Sequence, residues 1–469
     1  MIELSVEEMA RATGGDTEAG LSDLATFASV STDSRTVKPG DLFVALRGEH
    51  YDGHDFLTSV VDKGAMGIVA ARDATNPFLK RIPKQFMHIT LIRVDDTLKA
   101  YQEIARIAAR KLSAKVVAVT GSTGKTTTKD MIASILRGLG KTTASAENFN
   151  NEVGLPATIL TADEDTEFMV LEMGMRGPGQ IAELARIAKP HVGVITNIGL
   201  THLELLGSEE NIAMAKTELA AGVRPAGTIV VNAGDAWVDK VAGASVAKVI
   251  TFGAGKGADV RAEDIVLDER VRASFTVIAK IEGVGYEFPV RLAVPGRHNV
   301  ENALAAAAAC LALGAPEQVI VEGLANARIS LNRMSFIDCD SGILIINDTY
   351  NASPASVKAA LETLAAAAGT RKIAVLGDML ELGDASKEAH LETGRRAAAA
   401  ADIMFAVGEL AQTIAEGARE AGMPADAVIC FGDTDEAAAR LRDEMKKGDV
   451  VLVKASRALR FERIVECIK

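Results

Sequence analysis

The sequence predicts an α/β chain of three domains. They are a small N-terminal α/β domain, a central P-loop domain and a C-terminal Rossmann-like α/β domain. The central domain is expected to hold a parallel sheet with helices on both faces and a β-insertion. Three observations carry this. The 469 residues, at about 150 per domain, suggest roughly three domains. Short apolar runs alternate with helical stretches, as in a parallel sheet covered on both sides. The run "VVAVTGSTGKTTTKD" (116–130) joins an apolar strand to a helix through a glycine turn, the local form of a phosphate-binding loop.

The N-terminal unit, residues 1–92, offers strands at "DLFVAL" (41–46), "GIVAA" (67–71) and "HITLIRV" (88–94), separated by Gly, Pro and Asp signals. The central unit, 93–326, opens on a helix in "DTLKAYQEIARIAARKLSA" (96–114). Strands follow at "KVVAVT", "EFMVLEM" (167–173), "HVGVITNI" (191–198) and "GTIVVNA" (227–233), with helices near 125, 180–188 and 210–221. Residues 259–295 change character: "RASFTVIAKI" and "YEFPVRLAV" read as antiparallel strands joined by "EGVG", a β-insertion before the helix "NVENALAAAAACLALG". The C-terminal unit, 327–469, has strands at "GILIINDT", "KIAVLGD", "DIMFAVG", "AVICFGD" and "DVVLVKAS", with helices between most of them. The units are expected to join near 92 and 326.

Composition narrows the function. Hydrophobic residues are 48% and charged residues 24%, an ordinary globular balance. Ala-rich runs at 305–309, 365–368 and 397–401 favour helix. The net charge of −12, without a long Lys/Arg run, argues against nucleic acid or an anionic membrane as partner. Cys310, Cys339, Cys430 and Cys467 are scattered and form no C-x-x-C, so neither a zinc site nor a disulfide framework is expected. The acidic start "MIELSVEEMARATGG" lacks the basic region and apolar core of a signal peptide. No apolar run reaches the ~18 residues of a membrane span. A cytoplasmic monomer is expected.

The glycine turn departs from the common G-x-x-x-x-G-K-[ST] pattern, because Val119 stands where the first glycine belongs. Even so, strand, Gly-Lys-Thr and helix occur in the required order. Lys125 would meet the outer phosphates, and Thr126 would offer a hydroxyl to Mg2+. A glycine turn with an incidental lysine is the competing reading. Glu172 and His202 follow the next two strands, and in open parallel sheets ligands bind beyond the carboxyl ends of strands. Both types suit metal ligation, although a lone His is more often a hydrogen-bonded or surface residue. Lys216, in the helix "SEENIAMAKTELAAG", reads by itself as a solvated lysine. "STDSRTVKPGDLFVALRGEHYDGHDF" (31–56) reads either as a diphosphate-binding segment with Arg35 and Arg47 or as a polar turn-rich loop.

Taken together, "TGSTGKTT", "NFNNEVGLP" (148–156), "LEMGMRGPGQI" (171–181), "TNIGLTHLELLGSEENIAMAKTE" (196–218), "GRHNVENALAA" (296–306) and "NDTYNASP" (347–354) resemble the Mur ligases, in that family's order and over about residues 31–463. The loop without the first glycine is that family's own. "STDSR", "GE" with "DGHDF", "GDMLELG" (377–383) and "KASR" (454–457) look like the member that acts on D-alanyl-D-alanine. "KASR" has Ala455 where glycine is common.

The resemblance implies a reaction. ATP phosphorylates the terminal carboxylate of a UDP-linked muramoyl tripeptide, and D-alanyl-D-alanine attacks the acyl phosphate to give an amide, ADP and phosphate. ATP and two Mg2+ ions are the implied cofactors. Gly121, Ser122, Thr123, Gly124, Lys125, Thr126 and Thr127 would cradle the phosphates. Asn302 resembles the adenine contact, and Arg333 and Asp348 resemble residues that close over the nucleotide. Thr126 and Glu172 would hold one Mg2+, and His202 would help hold a second. Lys216, in "AKTE", matches the family's carbamylated, metal-ligating lysine. Asn148, Asn150 and Asn151 look placed to meet the peptide or acyl phosphate. Ser31, Thr32, Ser34, Arg35, Glu49, Asp52 and His54 match the nucleotide-sugar side. The sister readings are the ligase adding the third amino acid, against which the absence of "DNPR" counts, and a folate polyglutamate synthase. A P-loop NTPase switch or motor is the reading from another class.

Overall fold

The computed structural model describes residues 2–18, 26–80, 88–146, 148–199, 201 and 203–469. It is an α/β structure with three sheets. The first has five strands: β1 (Asp16–Glu18), β2 (Val30–Ser31), β3 (Leu42–Val44), β4 (Gly67–Ala71) and β5 (Thr90–Val94). Their order is β1-β5-β4-β3-β2, parallel except for β1 against β5. All five residues of β4 are buried, which is why this strand reads as an unbroken apolar run.

The second sheet has nine strands: β6 (Lys115–Thr120), β7 (Thr142–Ala144), β8 (Phe168–Glu172), β9 (Val192–Ile195), β10 (Thr228–Asn232), β11 (Lys248–Phe252), β12 (Val260–Leu267), β13 (Arg272–Ile281) and β14 (Val284–Pro295). Their order is β14-β13-β12-β11-β10-β9-β6-β8-β7. The β-insertion is not a separate layer. β12 pairs parallel with β11, and β13 and β14 continue antiparallel from it, so the ribbon extends the same sheet. The alternating burial of β13 and β14 shows one face packed and one in water.

The third sheet holds β15 (Ser335–Asp338), β16 (Leu344–Asn347), β17 (Arg371–Gly377), β18 (Ile403–Val407), β19 (Val428–Phe431) and β20 (Asp449–Lys454), in the order β15-β16-β20-β17-β18-β19. It is parallel apart from the edge strand β15. Two cores cover its faces. One gathers Val357, Leu361, Ile414 and Ala418; the other gathers Ala437, Leu441, Ile464 and Val465. Short strands β1, β2, β7, β11 and β15 escaped the sequence reading because two to five residues hold too little pattern.

The chain divides into two compact units. One comprises residues 1–118, 140–174 and 180–191; the other comprises 119–139, 175–179 and 192–469. Among the described residues no helix is long and apolar enough to cross a membrane, and all four cysteines are free.

Candidate active site

The second unit holds the phosphate loop. After β6 the backbone turns at Gly121, whose φ is 148°; a β-carbon there would lie 1.9 Å from the Thr196 hydroxyl. Gly124 has φ 77° and precedes the helix Lys125–Leu136. Both positions demand glycine, one through close approach and the other through the left-handed backbone. The loop is braced by the segment after β9. Asn197 accepts the Thr123 N–H at 3.0 Å and donates to the Thr123 carbonyl at 3.1 Å. Thr196 donates to the same carbonyl at 2.6 Å. Ser122 Oγ donates to Gly199 O and accepts the Gly199 N–H, at 2.8 and 2.9 Å. Thr196 and Asn197 are positioning residues that the sequence reading missed. The signal that could have found them is "TNIG" (196–199), directly after β9.

Lys125 Nζ donates to Gly121 O at 2.8 Å and to Ser122 O at 3.4 Å, so its ammonium curls over the loop it serves. Thr126 is buried, and Thr127 is partly exposed. Asn302 is turned inward: its Oδ1 accepts from Thr128 Oγ1 at 3.3 Å and its Nδ2 donates to Asn299 Oδ1 at 2.7 Å. Its carboxamide supports the loop from beneath. A polar cleft beside it is lined by Asn197, Asn232, Asp235 and Glu301.

Lys216 lies on the helix Glu209–Gly222. It is 2% exposed, contrary to the solvated lysine its sequence position suggests. Burial first, and then the charge of Lys125, pull its pKa well below the ordinary lysine value. A neutral amine in this position is the form that adds carbon dioxide, and the resulting carbamate would face a lysine cation. His202 lies outside the described residues.

Asp348 follows β16. It accepts from Lys454 Nζ at 2.5 Å and from the Met334 N–H at 3.0 Å. Arg333 stacks on Tyr350, with its guanidinium carbon 3.7 Å from the ring centroid. Asp348 and Lys454 also act on His298, whose pKa burial pushes down to about 4. Arg333 and Asp348 are therefore neighbours at one end of β16, as expected of residues with a shared task.

The first unit holds the remaining candidates. Glu172 is buried at the end of β8 and accepts from Asn150 Nδ2 at 2.8 Å. Asn150 O accepts the Gly174 N–H. Asn148 O accepts the Asn150 N–H, and Asn151 Oδ1 accepts the Gly154 N–H at 2.8 Å, at the start of the helix Gly154–Leu160. Ser31, Thr32, Ser34 and Arg35 share one loop. Ser31 Oγ donates to Asp33 O, and Arg35 pairs with Asp33 at 2.7 Å, holding that carboxyl at about 2. Glu49 is exposed. His54 is buried, with Nε2 accepting the Ala71 N–H at 2.9 Å and Nδ1 bonded to Asp52 at 2.5 Å. The Nε2 acceptor role fixes the proton on Nδ1, so His54 locks the loop to β4 through both ring nitrogens.

These residues suit ATP and a hard divalent cation. The glycine positions leave no room for a β-carbon, the helix start presents backbone N–H groups to an anion, and in this second unit Thr126 offers a hydroxyl oxygen donor. Among the described residues no three His, Cys, Asp or Glu side chains gather as a metal cluster, so hydroxyl and modified-lysine ligands would have to complete any such centre.

Three domain models match the chain. They are the Mur ligase family catalytic domain over residues 26–108, the Mur ligase middle domain over 119–310, and the Mur ligase glutamate ligase domain over 332–457. UDP-N-acetylmuramoyl-tripeptide–D-alanyl-D-alanine ligase of Bacillus subtilis is 37% identical, covering 99% of this chain and 98% of its own. MurF from Acinetobacter baumannii superposes with a TM-score of 0.87 at 32% identity, over 99% of this chain and 98% of that one. MurF ligase from Thermotoga maritima in complex with ADP gives 0.81 at 31% identity, over 96% and 98%. With 37% identity along its whole length, the chain belongs to the Mur ligase family.

Proposed function

We propose that this chain is the ATP-dependent ligase that joins D-alanyl-D-alanine to UDP-N-acetylmuramoyl-tripeptide in peptidoglycan precursor synthesis. The observation that carries the reading is the glycine-cradled loop Gly121–Thr127 with a buried Lys216, its pKa pulled well down by burial, in the same unit, in a chain that matches the Bacillus subtilis ligase end to end.

The chemistry follows from the carboxylate, which is a poor acyl donor because oxide cannot leave. Transfer of the γ-phosphoryl group makes a carboxylic–phosphoric anhydride and releases ADP. The dipeptide amine then adds to the carbonyl carbon, phosphate departs with the C–O bonding pair, and the amine proton passes to a base. Bringing these anions together is costly, and fixed cations must offset it. The loop N–H groups and Lys125 hold the transferring phosphates in this reading, with the ammonium moving off Gly121 O to reach them. Mg2+, when bound, supplies Lewis-acid stabilisation of the phosphoryl oxygens. Thr126, Glu172, His202 and carbamylated Lys216 would hold two such ions. Arg333 and Asp348 would close over the nucleotide, and Asn302 would back the adenine side. Asn148, Asn150 and Asn151 would face the acyl phosphate, and the loops around Ser31–Arg35 and Glu49–His54 the UDP moiety.

The division into 1–92, 93–326 and 327–469 assigns one substrate to each domain: UDP-sugar, ATP and dipeptide. Three domain models matched in chain order, over 26–108, 119–310 and 332–457, support a three-part division, though the first runs past residue 92. A cytoplasmic monomer completes the reading, since ATP and the UDP-linked precursor would be met there. One assay tests it: phosphate release with UDP-muramoyl-tripeptide and added D-Ala-D-Ala, free diamino acids or a glutamylated folate. Turnover requiring both tripeptide and D-Ala-D-Ala is expected. Turnover indifferent to the dipeptide would overturn the reading.

A further inference from the structure

The motif "KASR" and the residue Tyr350 have no task in the reaction described so far. In the structure they meet. Tyr350 follows β16, and its N–H donates to Asn332 O at 3.0 Å. Asn332 also accepts from Asn347 Nδ2 at 2.9 Å, and Met334 N–H reaches Asp348. Arg333, between these two anchored residues, is thereby held over the Tyr350 ring. A second guanidinium, Arg457, lies 5.9 Å from the same ring centroid. It follows β20, in a short turn that starts after Ser456, whose N–H donates to Asp378 O. Its Nη1 reaches Glu462 at 3.2 Å.

The charges do not balance. Two guanidiniums face one ring, and Glu462 offsets one of them. Arg333 Nε is buried without a hydrogen-bond partner among the described residues, and so is Glu462 Oε2. The nearby Asp348 is neutralised by Lys454. Counted over Arg333, Arg457, Lys454, Glu462 and Asp348, three cations meet two carboxylates, and the unfilled donor is on Arg333. That excess matches a single carboxylate better than a polyphosphate, and guanidinium forks bind carboxylates in two-point fashion.

The location fits a ligand. β16 and β20 are parallel neighbours. The helix Pro354–Ala366 after β16 packs into one core, and the helix Glu462–Ile468 after β20 packs into the other. The chain thus leaves two adjacent strands toward opposite faces, which opens a crevice beyond their carboxyl ends.

We propose that Arg457, steadied by Tyr350 and Glu462 beside Arg333, binds the free carboxylate of the incoming dipeptide. This rests on the ligase reading above. The acceptor carries an amine that must reach the acyl phosphate and a carboxylate that must be kept away from it. Anchoring the second orients the first. It also predicts that peptides with a neutral C-terminus are poorer acceptors.

The test compares D-Ala-D-Ala with its C-terminal amide in wild type, Arg457→Ala and Arg457→Lys, following phosphate release at saturating tripeptide. Wild type should prefer the acid by about 100-fold in kcat/KM. Arg457→Ala should raise KM for the acid by about 10- to 100-fold, leave the amide nearly unchanged, and so erase the preference. Arg457→Lys, which keeps the charge but not the fork, should retain part of it. KM for ATP should move less than about twofold. An equal loss toward acid and amide would overturn the proposal and mark Arg457 as structural. A raised KM for ATP with an unchanged acid preference would overturn it in favour of a nucleotide contact. Wild type showing no dipeptide-stimulated release would instead overturn the ligase reading, and this proposal with it.

Discussion

The carboxamide oxygen of Asn302 lies 2.3 Å from the point a β-carbon on Gly124 would occupy. Those two residues are far apart in sequence, yet each limits the other. Gly124→Ala should meet both this clash and the cost of a left-handed alanine, about 1–2 kcal/mol. The expected outcome is a loop that no longer presents its N–H groups to phosphate. ATP titration calorimetry checks it. In the double variant with Asn302→Ala the clash is gone, while the backbone cost and the loss of the Asn302 bonds to Thr128 and Asn299 remain, so affinity should recover in part. Wild-type ATP affinity in Gly124→Ala would refute the account.

Lys216 is buried, and that burial, with the charge of Lys125, pulls its pKa well below the ordinary lysine value. Lys216→Ala should lower kcat by about 100-fold or more if a carbamate there holds metal charge. Millimolar acetate or propionate should restore part of the rate by supplying a carboxylate to the vacated space. Steady-state kinetics with and without the acid decides. Full activity of Lys216→Ala would remove the residue from the mechanism.

His298 should make the fold sensitive to acid. Burial chiefly pushes its pKa from 6.5 to about 4, with Asp348 opposing and Lys454 reinforcing the shift. In the unfolded chain the imidazole protonates near 6.5, whereas in the folded chain it resists until about 4. Its contribution is therefore present above pH 6.5 and lost as pH falls toward 4. The ring keeps some exposure, so a loss on the order of 2 kcal/mol is expected. Urea midpoints at pH 7 and 4.5 should converge more closely in His298→Asn than in wild type. Identical pH dependence of the two proteins would exclude the effect.

Lys454 and Asp348 form a nearly dry ion pair, with side chains 2% and 13% exposed. Lys454→Met should destabilise by about 3–5 kcal/mol, because it strands the carboxylate. Adding Asp348→Leu should return much of that loss, since replacing both charges leaves neither unpaired. Denaturant unfolding of the single and double variants measures the coupling. Additive losses would show the pair to be energetically independent.

Much of this could be read along the chain. Gly121, Gly124 and Lys125 declare themselves because strand, glycine turn and helix start are local patterns. Strands such as β4 and β20 declare themselves because each is an unbroken buried run. His54 and Asn302 were legible as motif residues but not in orientation. One ring closes onto Ala71 and the other amide onto Asn299 and Thr128, and those partners come from other segments. Thr196 and Asn197 were passed over because hydroxyl and amide residues after a strand are commonplace until the loop they brace is placed beside them.

By itself, the sequence determined the α/β class, the position of the phosphate loop and membership of a ligase family, since backbone period and glycine conformation are properties of neighbouring residues. Only the tertiary structure decided that Lys216 is a buried amine with a depressed pKa rather than a solvated lysine. Only it decided that Arg333, Tyr350 and Arg457 form one charged cluster. The physical reason is common to both. The pKa of a lysine and the imbalance between two guanidiniums depend on which distant side chains exclude water around them, and no local pattern of residues encodes that exclusion.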